Sequence, residues 1–123
     1  MANEITMNAF FQVENLLTDR VNIPTSQFDQ TGTGRVANTV AVPNDSDLAL
    51  ELGGVTTPGL AYFQNLALAA DATHVISIGP DATGLQAAIR LAPQQWCLVF
   101  LAAAPLARAA AGTPLLDYKI FQR

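Results

Sequence analysis

Apolar and polar residues alternate with a period of two in short runs along most of the chain, which predicts half-buried β-strands. Residues 5–13 place Ile5, Met7, Ala9, Phe11 and Val13 on one face, with Thr6, Asn8 and Gln12 on the other. Residues 16–23 carry Val21 and Ile23 and are expected to stop at Pro24; a polar strand from Ser26 to Thr31 follows around Phe28. Thr31-Gly32-Thr33-Gly34 supplies the backbone freedom of a tight turn. From Arg35 to Val42 the residues Val36, Asn38, Val40 and Val42 alternate with Ala37, Thr39 and Ala41, up to the turn cluster Pro43-Asn44-Asp45-Ser46-Asp47.

The second half continues the pattern. Leu48-Ala49-Leu50-Glu51-Leu52 alternates and meets Gly53-Gly54. Thr56-Thr57-Pro58-Gly59 reads as a turn, with Pro presetting the second position and Gly taking positive φ at the third. Strands are expected at Leu60–Leu66, at His74–Gly79 with Ile76 and Ile78 on one side, at Leu85–Leu91, at Trp96–Ala102 and at Leu115–Phe121. Gly79-Pro80-Asp81 and Pro93-Gln94-Gln95 are the connections. The run from Trp96 is apolar on both faces, which fits a central strand or one covered by a partner. The Ala-rich stretches 65–73 and 102–112 have room for a helical turn each, against which Pro105 and the short lengths argue. Some nine to eleven strands with turn signals every 8–12 residues predict an all-β sandwich, jelly-roll-like, as a single domain over residues 1–123. Residues 1–13 are expected to be an N-terminal strand or arm that engages a neighbour.

Composition sharpens this picture. Of 123 residues half are hydrophobic and only 13% are charged, with a net charge of −4. Disorder is disfavoured by that balance. The basic residues Arg20, Arg35, Arg90, Arg108, Lys119 and Arg123 are scattered and form no phosphate-binding stripe, so no nucleic acid partner is expected. The longest near-apolar run, Trp96 to Leu106, is about half the roughly 20 residues that span a bilayer, and Met1-Ala2-Asn3-Glu4 does not open a secretory signal. A soluble protein made in a cytoplasm, without a membrane, is the expectation. The charge fraction is about half the usual quarter, and interface centres are depleted of charge, so much of the surface is expected to be covered by other subunits.

The residues that carry chemistry are few. His74 is the only histidine and Cys97 the only cysteine, which excludes a disulfide and a four-cysteine zinc site. Asp71 and Ser77 flank His74 at three residues; on a strand that spacing sends the side chains to opposite faces, so no triad is expected. Asp45 and Asp47 offer oxygens but lack the spacing and terminal glutamate of an EF-hand, and a self-bonded turn is the simpler reading. The glycines do not form a phosphate-cradling loop. No enzyme, metal or cofactor is expected. Trp96 and Cys97 are expected to pack in the core, with sugar stacking on Trp96 as the residual reading. Asp81, Arg90 and Asp117 are candidates for cross-strand pairs. Phe10 and Phe11 cannot share one strand face, so one of them is an interface candidate; with Phe28, Tyr62, Trp96 and Phe121 they make up the expected contact or core anchors.

A resemblance rests on the succession Thr57-Pro58-Gly59-Leu60-Ala61-Tyr62-Phe63-Gln64-Asn65-Leu66, then His74-Val75-Ile76-Ser77-Ile78-Gly79, then Ile89-Arg90-Leu91-Ala92-Pro93, and the terminal Leu115-Leu116-Asp117-Tyr118-Lys119-Ile120-Phe121. This pattern, over roughly residues 48–121, resembles small virion proteins of tailed bacteriophages. Gln94 stands where that pattern has glycine, and Ala67 where it has aspartate. The resemblance implies a cement or decoration protein on the outer surface of the head. Such a protein binds across subunits of the major capsid protein lattice, as a homo-oligomer for which lattice axes favour a trimer. Head-fibre, vertex or tail roles with a carbohydrate- or receptor-binding sandwich are the alternative. A cupin-type enzyme would need a histidine cluster.

Overall fold

The computed structural model describes the main chain of residues 3–14, 18–30, 34–82 and 87–122, and the side chains within the last two ranges. The described residues form ten β-strands and no helix, so the protein is all-β. They are β1 (Asn3–Glu14), β2 (Thr18–Gln30), β3 (Arg35–Ala41), β4 (Leu48–Ala49), β5 (Pro58–Asn65), β6 (Ile76–Gly79), β7 (Ile89–Leu91), β8 (Trp96–Phe100), β9 (Leu106–Ala109) and β10 (Leu115–Gln122).

The chain divides into two units, Met1–Thr33 and Gly34–Arg123. The first is an antiparallel ladder of β1 and β2. Pro24 does not end β2. The register shifts there, so that Pro24 and Thr25 stand opposite the single residue Asn8. A β-bulge absorbs the proline, which has no N–H to give to a regular ladder. The arm expected over residues 1–13 is thus one half of a hairpin that runs to Gln30.

The second unit is the sandwich. One sheet has the order β3-β10-β5-β8 and the other β4-β9-β6-β7. The antiparallel pairs nest: β3 with β10, β4 with β9, β5 with β8, β6 with β7. Nested pairs describe one long hairpin. Folding that hairpin over, so that β5 meets β10 and β6 meets β9, closes it into two sheets.

The core lies between the sheets. Ala61, Phe63, Leu116, Tyr118 and Ile120 come from one side and Ile76, Ile78, Leu91, Ala107 and Ala109 from the other. Period-two alternation is why β10 works: Leu116, Tyr118 and Ile120 are fully buried while Asp117 and Lys119 point away. The rings of Phe63 and Tyr118 stack at a tilt, 6.5 Å between centroids. The Tyr118 hydroxyl donates to the Glu51 carbonyl at 2.9 Å, which satisfies its one polar atom.

Several local expectations are corrected. Gly59 lies inside β5, and Pro58 is that strand's first residue, a position proline tolerates. The turn falls earlier, where Val55 N–H donates to Leu52 C=O at 2.9 Å and Gly53 takes φ 55°. The strand expected over 48–52 shortens to Leu48–Ala49: Leu50 N–H still reaches the Pro105 carbonyl in register, but Pro105 has no N–H to return. The stretches 65–73 and 102–112 hold turns, the last residue of β5 and the whole of β9, with no helix. Of the run 85–91, β7 keeps residues 89–91, and Leu85 lies outside the described residues.

Candidate functional site

The site begins with a turn. Pro93 and Gln94 are the central residues of a bend closed by Gln95 N–H to Ala92 C=O at 3.0 Å, and Gln94 has φ 70°. That left-handed conformation explains why glycine is usual there. Gln94 is held in it by its side-chain amide, which donates to the Ala67 carbonyl, and by its N–H, which donates to Asn65 C=O at 2.9 Å. The Gln95 side chain accepts from Ala92 N–H at 2.9 Å.

Asn65 anchors the other side of the turn. It is the one fully buried polar side chain among the described residues. Its Nδ2 donates to the carbonyls of His74 (2.8 Å) and Leu91 (2.9 Å), and its Oδ1 accepts from Ala67 N–H (3.0 Å). Three segments are thereby fixed around the start of β8.

Among the described residues β8 pairs with β5 alone, so it is an edge of its sheet. Of the two expectations for Trp96–Ala102, a central strand or one covered by a partner, this removes the first. The outward face of the sheet is organised in cross-strand rows. One row is Thr39, Asp117, Gln64 and Trp96; the next is Ala37, Lys119, Tyr62 and Leu98. Polar groups fill the β3 and β10 side: Thr39 Oγ1 donates to Asp117 at 3.5 Å, and Lys119 Nζ lies 5.9 Å from the Tyr62 ring centre. The β8 side is apolar. Trp96, Leu98 and Phe100 are 57%, 43% and 57% exposed. The Tyr62 and Trp96 rings lie 6.4 Å apart at 32°, and the Tyr62 hydroxyl donates to Gln64 Oε1 at 2.7 Å. Burial, and after it the Asp117 carboxylate, raises the Tyr62 phenol above its ordinary pKa. On the inward face, burial pushes the Cys97 thiol up as well.

Of the expected anchors, Tyr62 and Trp96 come together, and Trp96 is a surface residue rather than a core one. Phe121 is partly buried near the other end of β10, opposite Arg35 of β3. Phe10, Phe11 and Phe28 lie in β1 and β2, opposite Asn22, Val21 and Ile5, and their side chains are outside the described residues. Leu98 and Phe100 were legible as strand residues, but their exposure was not. No charge falls between Arg90 and Arg108, but an apolar run alone does not separate an exposed edge from a buried strand.

The remaining candidates lie elsewhere. His74 and Asp71 belong to a turn, His74 N–H to Asp71 C=O at 2.9 Å, which brings Nδ1 within 3.9 Å of the carboxylate where a strand would have separated them. Asp47 pairs with Arg108 at 3.6 Å, and Ser46 Oγ donates to Asp45 at 3.3 Å, as a self-bonded turn would. Arg90 is on the β7 sheet and Asp117 on the β8 sheet, so these two are not cross-strand neighbours. Among the described residues no three His, Cys, Asp or Glu side chains converge on a metal position.

The class defined by this geometry is a small antiparallel β-sandwich whose most distinctive surface is an apolar sheet edge. No family model, curated protein or solved structure matches the chain.

Proposed function

We propose that the protein is a structural component of a tailed-bacteriophage virion, a cement or decoration protein that binds across major capsid protein subunits on the outside of the head. The observation that carries this reading is the outward face of β8, where Trp96, Leu98 and Phe100 remain exposed beside Tyr62 on an acidic, sparsely charged domain. A contiguous apolar patch of this kind marks an interaction surface. Such a protein acts by mass action: it binds the assembled lattice better than free subunits, and so stabilises the shell. Its own assembly is a closed homo-oligomer, a trimer matching the lattice axes.

The test is light scattering with size exclusion across concentrations, followed by titration onto expanded head shells of the phage. A closed oligomer that saturates the shells and raises their disruption temperature supports the reading. A concentration-independent monomer that leaves shells unchanged refutes it. The tilted Tyr62–Trp96 pair, with Gln64 beside it, favours a second reading as a carbohydrate- or receptor-binding vertex or tail component. Sugar-dependent quenching of the single tryptophan, lost in Tyr62→Ala, would support that instead.

A further inference from the structure

We infer that the crook between β7 and β8 is a binding site for a pyranose that carries a carboxylate, with Arg90 on the carboxylate and Trp96 against the sugar ring. The inference rests on the sugar-binding reading of the sandwich and deepens it by naming the site and the class of sugar.

The chain passes from one sheet to the other through the turn 92–95. In the crook of that crossing lies an open cleft of about 500 Å³. Arg90 of β7, Gln94 and Gln95 of the turn and Trp96 of β8 line it, together with Leu91 and Cys97, which pack toward the core. A concavity with an apolar base and a few fixed polar groups is the usual form of a small-ligand site.

The two amides are each held by one atom and unused at the other. Gln94 Nε2 donates to the Ala67 carbonyl, while Gln94 Oε1 has no partner among the described residues. Gln95 Oε1 accepts from Ala92 N–H at 2.9 Å, which leaves Gln95 Nε2 in the same state. One acceptor and one donor at held positions match sugar hydroxyls, and their ordering is already complete before a ligand arrives. Arg90 makes no ion pair with a described residue. Its guanidinium is always charged and fits a carboxylate with two parallel hydrogen bonds. Trp96 is 57% exposed and offers an indole ring for the C–H face of a pyranose.

Gln94 adds an argument of a different kind. Its φ of 70° is a conformation that glycine takes without cost and glutamine does not. Glycine would make the same turn unstrained, but it would remove the amide from the cleft.

The single guanidinium sets the charge of the ligand. A phosphate monoester brings about two negative charges, and the chain itself already carries −4. No second cation lines the cleft to balance them. A neutral sugar leaves Arg90 unmatched, whereas one carboxylate balances it.

The probes are the methyl glycosides of glucuronic, galacturonic and N-acetylneuraminic acids, with methyl glucoside and adenosine monophosphate as controls. Binding to the full chain is read by fluorescence of the single tryptophan and by NMR shifts of the Arg90, Gln94 and Gln95 side-chain N–H groups. The expected result is saturable binding of at least one acid, about tenfold tighter than methyl glucoside. Arg90→Gln is expected to bring that acid down to the level of the neutral sugar. Gln94→Gly is expected to weaken it about tenfold while melting no lower than the parent, since the relieved strain offsets the lost bond to Ala67. The inference is overturned if none of the acids binds, or if methyl glucoside or adenosine monophosphate binds as tightly as the best acid. It is equally overturned if Arg90→Gln, folded, binds the acid unchanged. Its failure is separable from that of the sugar-binding reading. A neutral sugar whose binding is lost in Tyr62→Ala and kept in Arg90→Gln would leave that reading standing on the outward sheet face and refute the cleft. No binding of any sugar would refute both.

Discussion

Asn65→Leu removes the polar clamp beneath the Trp96 turn and keeps a side chain of similar size. Three main-chain groups lose their partner: Ala67 N–H, Leu91 C=O and His74 C=O. Ala67 and Leu91 are 7% and 4% exposed, so water cannot replace the lost bonds there, whereas His74 is only half-buried. Each orphaned buried group costs about 1–3 kcal/mol, so the loss centres near 4 kcal/mol. That is a large part of the roughly 5–15 kcal/mol that holds a domain folded. The melting temperature is expected to fall by roughly 15–30 °C. Thermal and urea unfolding measure the loss, and hydrogen exchange locates it: the amides of Asn65 and Gln94, bonded to Gln95 and Asn65, should lose protection before those of β10. Gln95→Ala is the comparison. It removes a bond of similar length on an exposed residue and is expected to cost under about 1 kcal/mol. A loss below about 1 kcal/mol for Asn65→Leu, with an unchanged urea slope, would refute the clamp.

Four further outcomes are expected. Tyr118→Phe leaves the ring in place and deletes one hydrogen bond to Glu51, for about 1 kcal/mol in urea unfolding. Gly112→Ala places a Cβ about 2.5 Å from His74 Nε2 in a residue with φ 64°; the imidazole can swing away, so the backbone cost of about 1–2 kcal/mol dominates and adding His74→Ala recovers only a minor part. Trp96→Ser and Leu98→Ser alter exposed positions and should change stability by under about 0.5 kcal/mol while weakening shell binding at least tenfold, measured by co-sedimentation. The raised Cys97 pKa has a sign for stability: the unfolded chain loses its thiol proton first, near the ordinary 9.0, so stability is full below that pH and falls as pH rises toward the folded value. Cys97→Ala should flatten the decline in melting temperature over that window, leaving the contribution of Tyr62, whose pKa is shifted the same way.

Period and turn chemistry made most of the fold readable. The alternation in Leu115–Phe121 and in His74–Gly79 assigned both the strands and their buried faces, because one side of each sheet is solvated and the other is packed; the second strand is shorter than expected, Ile76–Gly79, since His74 belongs to the preceding turn. What periodicity does not carry is lateral position in the sheet. The run Trp96–Phe100 is apolar at every position, which a central strand and an uncovered edge strand satisfy equally. Only the pairing, β5 on one side, separates them. Pro24 misled for a related reason, since proline stops a ladder unless a bulge takes it, and a bulge is a property of two strands rather than one. Asn65 stands in the Thr57–Leu66 succession with no neighbouring residue that shows a role for it. Its role depends on carbonyls nine and 26 residues away, and no local pattern encodes that closure.

The polarity gradient across the outward sheet ties these observations together. A sandwich of this size needs one buried face per sheet and leaves the other to water, and β3 and β10 obey that rule with Thr39, Asp117 and Lys119. β8 departs from it. Trp96 and Leu98 stay exposed on its outward face, which invites association. The turn before β8 is nevertheless built at some cost, with a left-handed Gln94 and a fully buried Asn65. Local rules broken on the surface, next to supports that hold the breach in a fixed geometry, are the arrangement expected of a binding edge. An apolar strand at the sheet edge, without the lysine or proline that makes such edges inert, is the feature on which the proposed interaction surface stands.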